Sequence, residues 1–223
     1  MSHQHPRVLL DHVLVAVPDL AEGARRFEER YGLRALEGGR HPGIGTANMI
    51  VPLGSSYLEL IAVVDPEEAS RTPTRGRITR ALSEGRTFAT WAVRTDNLDA
   101  LRAHLKEAGV KLSEPTPGAR KRPDGVILRW RTQFLAAEEP SALPFVIEWS
   151  VPPGMHPAEA PVDHPSKARG IRAVRLGDPD PAGTSVRIRS LLGNDIHFEV
   201  ERAGTGGVLA VEIDTPGGVT VIR

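Results

Sequence analysis

The chain has no cysteine, which excludes disulfides, thiolate metal sites and a cysteine nucleophile. It has no excess of charge either: 28 Lys plus Arg stand against 28 Asp plus Glu, so no net field recruits nucleic acid or an anionic membrane. The basic clusters Arg75-Gly-Arg77 and Arg120-Lys-Arg122 are too short to alter that. Long apolar runs are missing too. None approaches the ~20 residues of a membrane span, and Met1 to Arg7 contains nothing like the apolar core of a signal peptide. A soluble cytoplasmic protein is the expectation, with neither nucleic acid nor membrane as partner. Aromatic residues are scarce at 4%, so the three tryptophans stand out. Glycine (22) and proline (19) are plentiful, which favours many turns and short strands over a helical bundle. The 223 residues, 40% of them apolar, suffice for a sizeable core.

One pattern occurs twice. Leu10-Asp-His-Val-Leu-Val-Ala-Val-Pro-Asp-Leu20 opens a unit that closes at Tyr57-Leu-Glu-Leu-Ile-Ala-Val63. Phe88-Ala-Thr-Trp-Ala-Val-Arg-Thr-Asp-Asn-Leu98 opens another that closes at Pro144-Phe-Val-Ile-Glu-Trp149. Each reads as an apolar strand, a capped helix and further strands, and internal repetition of such a unit dictates the architecture. Asp19 with Glu22 marks a capped helix start, and Leu20, Ala24, Phe27 and Tyr31 share one helical face that ends at Gly32. Strands are expected around Leu33–Glu37, Thr46–Pro52 and Ser56–Val64. In the second unit Asn97 caps a helix ending at Gly109, followed by strands near Val110–Leu112, Val126–Thr132 and Phe145–Trp149.

The expected fold class is α+β: paired βαβββ modules (8–64 and 88–150) forming a curved mixed sheet around a cleft. Residues 65–87 read as a connector with a short helix near Arg77–Glu84, and 151–169 as a Pro-rich linker. Residues 170–223 repeat the βαβββ order, which makes them a degraded third module or a β extension. An odd third module leaves a pairing surface open, and a homodimer is the corresponding expectation.

Alternation along the first strand puts His12, Leu14 and Ala16 on one face and Val13, Val15 and Val17 on the other. The all-apolar set packs on the helix, so His12 faces the concave side. Glu59 and Glu148 each sit mid-strand among apolar residues, where a carboxylate is costly unless paired, hydrogen-bonded or bound to a cation. Singly, such residues are ordinary core or solvent-facing groups; together at matched places they suggest a shared metal-type site. His41 lies on a Gly-rich loop that borders the cleft or is a plain turn. Arg120 and Arg122, beside Pro123-Asp-Gly125, suit a substrate carboxylate or phosphate, or else a solvated hairpin. Trp91, Trp130 and Trp149 read as core or pocket wall.

These motifs resemble the vicinal oxygen chelate superfamily, specifically its glyoxalase-like-domain branch. Gly39-Arg-His-Pro-Gly-Ile-Gly-Thr-Ala-Asn48, Arg120-Lys-Arg-Pro-Asp-Gly125 through Trp130, and His156-Pro157 carry the branch resemblance. It implies a divalent metal (Mn, Mg, Zn, Co or Ni) held by His12, Glu59 and Glu148, chelating adjacent oxygens of a small-molecule substrate. His41 or a spare neighbouring carboxylate is the candidate general base, and Asn48, Trp91, Arg120, Arg122, Trp130 and His156 are the candidate substrate contacts. The fourth ligand position departs from the pattern, since Thr90 or Ala89 stands there. Two functions therefore stay open: a metal-dependent lyase, isomerase or hydrolase, and a metal-free binding or drug-sequestering protein.

Overall fold

A computed structural model describes residues 6–135 and 140–223; His3 and His5 lie outside them. The first unit comprises β1 (Val8–Ala16), α1 (Leu20–Tyr31), β2 (Leu36–His41), β3 (Thr46–Pro52) and β4 (Tyr57–Val63). Asp19 caps α1 by accepting from the Glu22 amide, and Gly32 ends it with φ of 62°, a left-handed turn that glycine adopts without penalty. Two helices, α2 (Pro66–Ala69) and α3 (Pro73–Ser83), fill the connector. The second unit follows as β5 (Phe88–Thr95), α4 (Leu98–Glu107), β6 (Thr116–Lys121), β7 (Ile127–Phe134) and β8 (Phe145–Ser150). Among the described residues no helix is long and apolar enough to cross a membrane.

Both units build one mixed sheet of order β2-β3-β4-β1-β5-β8-β7-β6. β1 pairs parallel with β4 and antiparallel with β5, and β5 pairs parallel with β8. The sheet curls until its edges β2 and β6 meet: Arg120 donates to the Gly38 carbonyl. Opposite Lys121, Gly39 has φ of 141°, and a β-carbon there would collide with the Lys121 carbonyl. Two strands lie elsewhere than the sequence predicts. β2 begins at Leu36, because Leu33 is a buried anchor just after the α1 cap. β6 is Thr116–Lys121, whereas Val110 and Leu112 dock against the core from a loop. An edge strand with few apolar residues carries little period-2 signal.

The two faces of the sheet differ in what covers them. Outward-facing Val13, Val15, Leu58, Leu60, Trp91, Val93 and Val146 pack with Phe27 of α1 and with Leu98, Leu101 and Leu105 of α4. Leu14 and Ala16 face inward, where Ile78 and Ala81 of α3 pack against them and close one side of a cleft.

The C-terminal segment forms β9 (Gly170–Asp178), α5 (Pro181–Leu192), β10 (Phe198–Arg202), β11 (Gly207–Thr215) and β12 (Gly218–Ile222). Its element order matches the other units but its pairing does not. β10 lies parallel beside β9, and β11 runs antiparallel on the other side. In the first unit β1 instead takes its last strand, β4, as parallel partner. This second sheet shares a core with the outer face of the large one, with Phe198 6.4 Å from Trp91 between ring centroids. Residues 151–169 are a strap tied to the first unit. His164 accepts from the Arg34 amide and donates to the Pro52 carbonyl, and the Ser166 amide donates to the Gly32 carbonyl.

Candidate functional site

The site grows from an irregularity in β1. Pairing with β5 slips between Leu10 and His12, leaving Asp11 out of the ladder, and such a bulge re-aims the side chains beside it. Asp11 is fully buried and gathers donors: His12 Nδ1 at 2.6 Å, His156 Nε2 at 2.9 Å and Trp149 Nε1 at 3.2 Å, with Arg94 Nη1 at 3.7 Å. Burial alone would raise its pKa, but the hydrogen bonds from His12 and His156 outweigh that and hold it well below the usual carboxylate range. A carboxylate only accepts, so Nδ1 of His12 carries a proton. The other ring nitrogen, Nε2, lies 3.3 Å from Glu59 Oε2. Burial would lower the His12 pKa, yet the two carboxylates raise it from 6.5 to about 9. Tyr57 stacks on the ring at 4.6 Å.

Glu59, opposite Leu14 on β4, takes a second hydrogen bond from Asn48 Nδ2 at 2.6 Å. Burial pushes its carboxyl up, but His12 and Asn48 bring it down to about 2. Asn48 Oδ1 has no hydrogen-bond partner among the described residues and rests against Gly38, where any β-carbon would overlap it. His41 completes this polar floor. Its Nδ1 lies 2.8 Å from Thr46 Oγ1 and its Nε2 3.9 Å from Glu59 Oε1, and burial lowers its pKa, leaving it neutral at pH 7. Above the floor opens a cleft of about 390 Å³. Its walls are apolar and mostly from the second unit: Trp130, Phe134, Phe145, Ile147 and Trp149. The polar floor thus holds an imidazolium, an ionised and weakly basic carboxylate, and a neutral imidazole.

Of the residues singled out in the sequence, His12, His41, Asn48, Glu59, Arg120, Trp130 and Trp149 meet at this cleft. Others do not. Glu148 points to the opposite face of β8, accepting from the Leu98 amide at the start of α4 and pairing with Arg131 at 2.6 Å. The register explains why. Leu14 pairs with Glu59 and with Thr90, and Ala92 pairs with Phe145 and with His12, so exchanging the units maps His12 on Thr90 and Glu59 on Phe145. Glu148 is three residues further on, and an odd offset flips the face. Trp91 is buried in the outer core and donates to the Ala142 carbonyl. Arg122 pairs with Asp124 and borders a smaller hollow beside the cleft. His156 lies behind β1, holding Asp11 rather than capping the cleft. Asp11 itself escaped sequence reading, because strict alternation sends it away from His12 and only the bulge brings it back.

These residues do not fit a divalent metal held by the protein. His12, braced by Asp11 as metal-binding histidines commonly are, and Glu59 give two donors. The matched positions offer Thr90 and Phe145. His41 stands on the other side of Glu59, its Nε2 3.9 Å away, and among the described residues no group of three or more His, Asp or Glu side chains is arranged so that it could hold a metal ion.

Comparison with known proteins agrees with this architecture. The sequence profile of the glyoxalase-like domain matches residues 10–192. The chain belongs to the glyoxalase-like domain family. Among solved structures, a hypothetical protein from Staphylococcus aureus is similar with TM-score 0.75 and 17% identity, over 97% of this chain and 99% of that one. This glyoxalase-like chain also matches a methylmalonyl-CoA epimerase from Streptomyces coelicolor, solved with 2-nitronate-propionyl-CoA. That match has TM-score 0.48 and 18% identity, over 66% of this chain and 100% of that one. The epimerase from Mycobacterium tuberculosis gives TM-score 0.44 and 21% identity, over 63% and 85%. A search of curated proteins found no match.

Proposed function

We propose that this glyoxalase-like protein is a metal-independent binder of small, largely apolar molecules, taken into the cleft between its two units. The observation that carries the reading is the state of Glu59. It is the one carboxylate among the described residues lining the cleft, and His12 and Asn48 already satisfy it. The facing wall presents aromatic and aliphatic side chains where ligands would be needed. A cleft of about 390 Å³ lies in the range of small-molecule sites, and apolar walls with a few fixed polar groups are their usual make-up.

A second reading, proton transfer on a bound substrate, is favoured by one observation. His41 is a neutral acceptor whose Nε2 lies on the far side of Glu59 from the His12 imidazolium. In this reading His41 takes the proton and His12 supplies one, with Glu59 holding the His12 ring and Thr46 the His41 ring.

Metal content by mass spectrometry, on untagged protein purified without chelators, tests the binding reading. Far less than one divalent ion per chain is expected, with no change in His12→Ala. Near-stoichiometric metal that disappears in His12→Ala would overturn it.

A further inference from the structure

The arginines beside this region have carboxylate partners: Arg131 has Asp99 and Glu148, Arg94 has Asp11, and Arg122 has Asp124. Arg120 is different. Only 4% exposed, it lines the cleft, and its one hydrogen bond among the described residues goes from Nη1 to the Gly38 carbonyl. No carboxylate of the described residues lies within ion-pair distance of it. A guanidinium keeps its charge when buried, and an unpaired buried charge is costly.

The charges around the floor set what would complete it. Asp11 already has His12, His156, Trp149 and Arg94 around it, and Glu59 has His12 and Asn48, so neither carboxylate serves Arg120. One negative charge neutralises it. A dianion would bring a second into a space whose other bordering cations, Arg71 and Arg77, are engaged by Glu67 and by the Phe134 ring, and a neutral ligand would leave the guanidinium unpaired. The rest of the cleft prescribes the body of the ligand. Trp130 and Trp149 stand 5.3 Å apart between ring centroids, and Phe134 and Phe145 5.2 Å apart, which makes a wall suited to a flat ring.

From this juxtaposition we infer that the cleft receives aromatic monocarboxylic acids, the carboxylate on Arg120 and the ring against the tryptophan–phenylalanine wall. The inference rests on the binding reading above and names its ligand class. A planar fork gives a carboxylate two parallel charge-assisted hydrogen bonds, which a neutral amide of the same shape cannot match.

Calorimetric titration with three probes sharing one ring system tests it: 1-naphthoate, 1-naphthamide and 1-naphthyl phosphate. Wild-type protein is expected to prefer the acid over the amide by about tenfold or more, as charge-assisted hydrogen bonds imply, and over the phosphate. In Arg120→Gln the acid and amide should bind within about twofold of each other, the reference being loss of that same hydrogen-bond energy. Equal affinity for acid and amide, a preference for the phosphate, or a preference untouched by Arg120→Gln would each overturn the inference while leaving the binding cleft standing. Failure of all three probes to bind would overturn the cleft reading together with it. Arg120 also ties β6 to β2, so if Arg120→Gln does not fold, the acid-to-amide ratio in the wild type decides alone.

Discussion

Residues 8–64 and residues 88–150 repeat one frame and divide one cleft, yet they contribute opposite chemistry to it. The first unit supplies Asp11, His12, His41, Asn48 and Glu59, a hydrogen-bonded floor. The second supplies Trp130, Phe134, Phe145, Ile147 and Trp149, a hydrophobic wall, and adds the buried guanidinium of Arg120. Where the first has His12 the second has Thr90, and where the first has Glu59 the second has Phe145. A repeat fixes where side chains converge; it does not fix what they are. The outer faces tell the same story in reverse, since α1 and α4 cover equivalent apolar rows and there the two units remain alike.

The sharpest way to break this asymmetry is to restore the missing half. Thr90→His combined with Phe145→Glu places two further donors opposite His12 and Glu59. The double variant is expected to take up about one zinc per chain and to gain roughly 4 kcal/mol of stability with free metal at a thousand times Kd. The wild type should show neither effect. Mass spectrometry and thermal unfolding with and without zinc read both.

The charged floor has its own signature in pH. His12 titrates higher in the folded protein than its ordinary 6.5, so its contribution to stability is complete below that pH and disappears as pH rises through about 9. Glu59 titrates lower, so its contribution is complete above its ordinary 4.5 and disappears as pH falls towards 2. His41, lowered by burial, acts against stability as pH falls below 6.5. Denaturant unfolding between pH 6.5 and 9 should therefore show a loss on the order of 2 kcal/mol in the wild type. His12→Gln should be less stable throughout but flat over that interval. A wild type that is flat there as well would remove the imidazolium from the account.

The smallest effect separates the two glutamates that looked alike. Glu148→Gln removes an ion pair with Arg131 and weakens the acceptor at the start of α4, at a cost of about 1 kcal/mol. Ligand affinity should not change. A drop in affinity comparable to that of Glu59→Gln would mean that both glutamates serve one site.

How much of this was legible in the sequence follows from what determines each feature. The helix bounds of α1 and α4 were written in Asp19, Gly32 and Asn97, because caps are local chemistry. Strand alternation placed His12 inward and Val13 outward for the same reason. Glu148 was misplaced because its match to Glu59 followed sequence resemblance, Leu-Glu-Leu against Ile-Glu-Trp, whereas the face is set by ladder register with β5. Asp11 was hidden by a bulge, and bulges depend on both strands of a pair. Arg120 read as an anion contact or as part of a solvated hairpin, since nothing local reveals that β6 curls round to meet Gly38. The strap over 151–169 has a linker's composition, and its anchorage through His156 and His164 depends on partners more than a hundred residues away.

A cleft whose one carboxylate among the described residues is already satisfied without metal meets its most direct test in a calorimetric titration of chelator-treated protein with the neutral probe 2-naphthol. One saturable site per chain, with an affinity unchanged by added zinc or manganese, is the predicted result. Binding that is absent after chelation and returns only with the metal would contradict it.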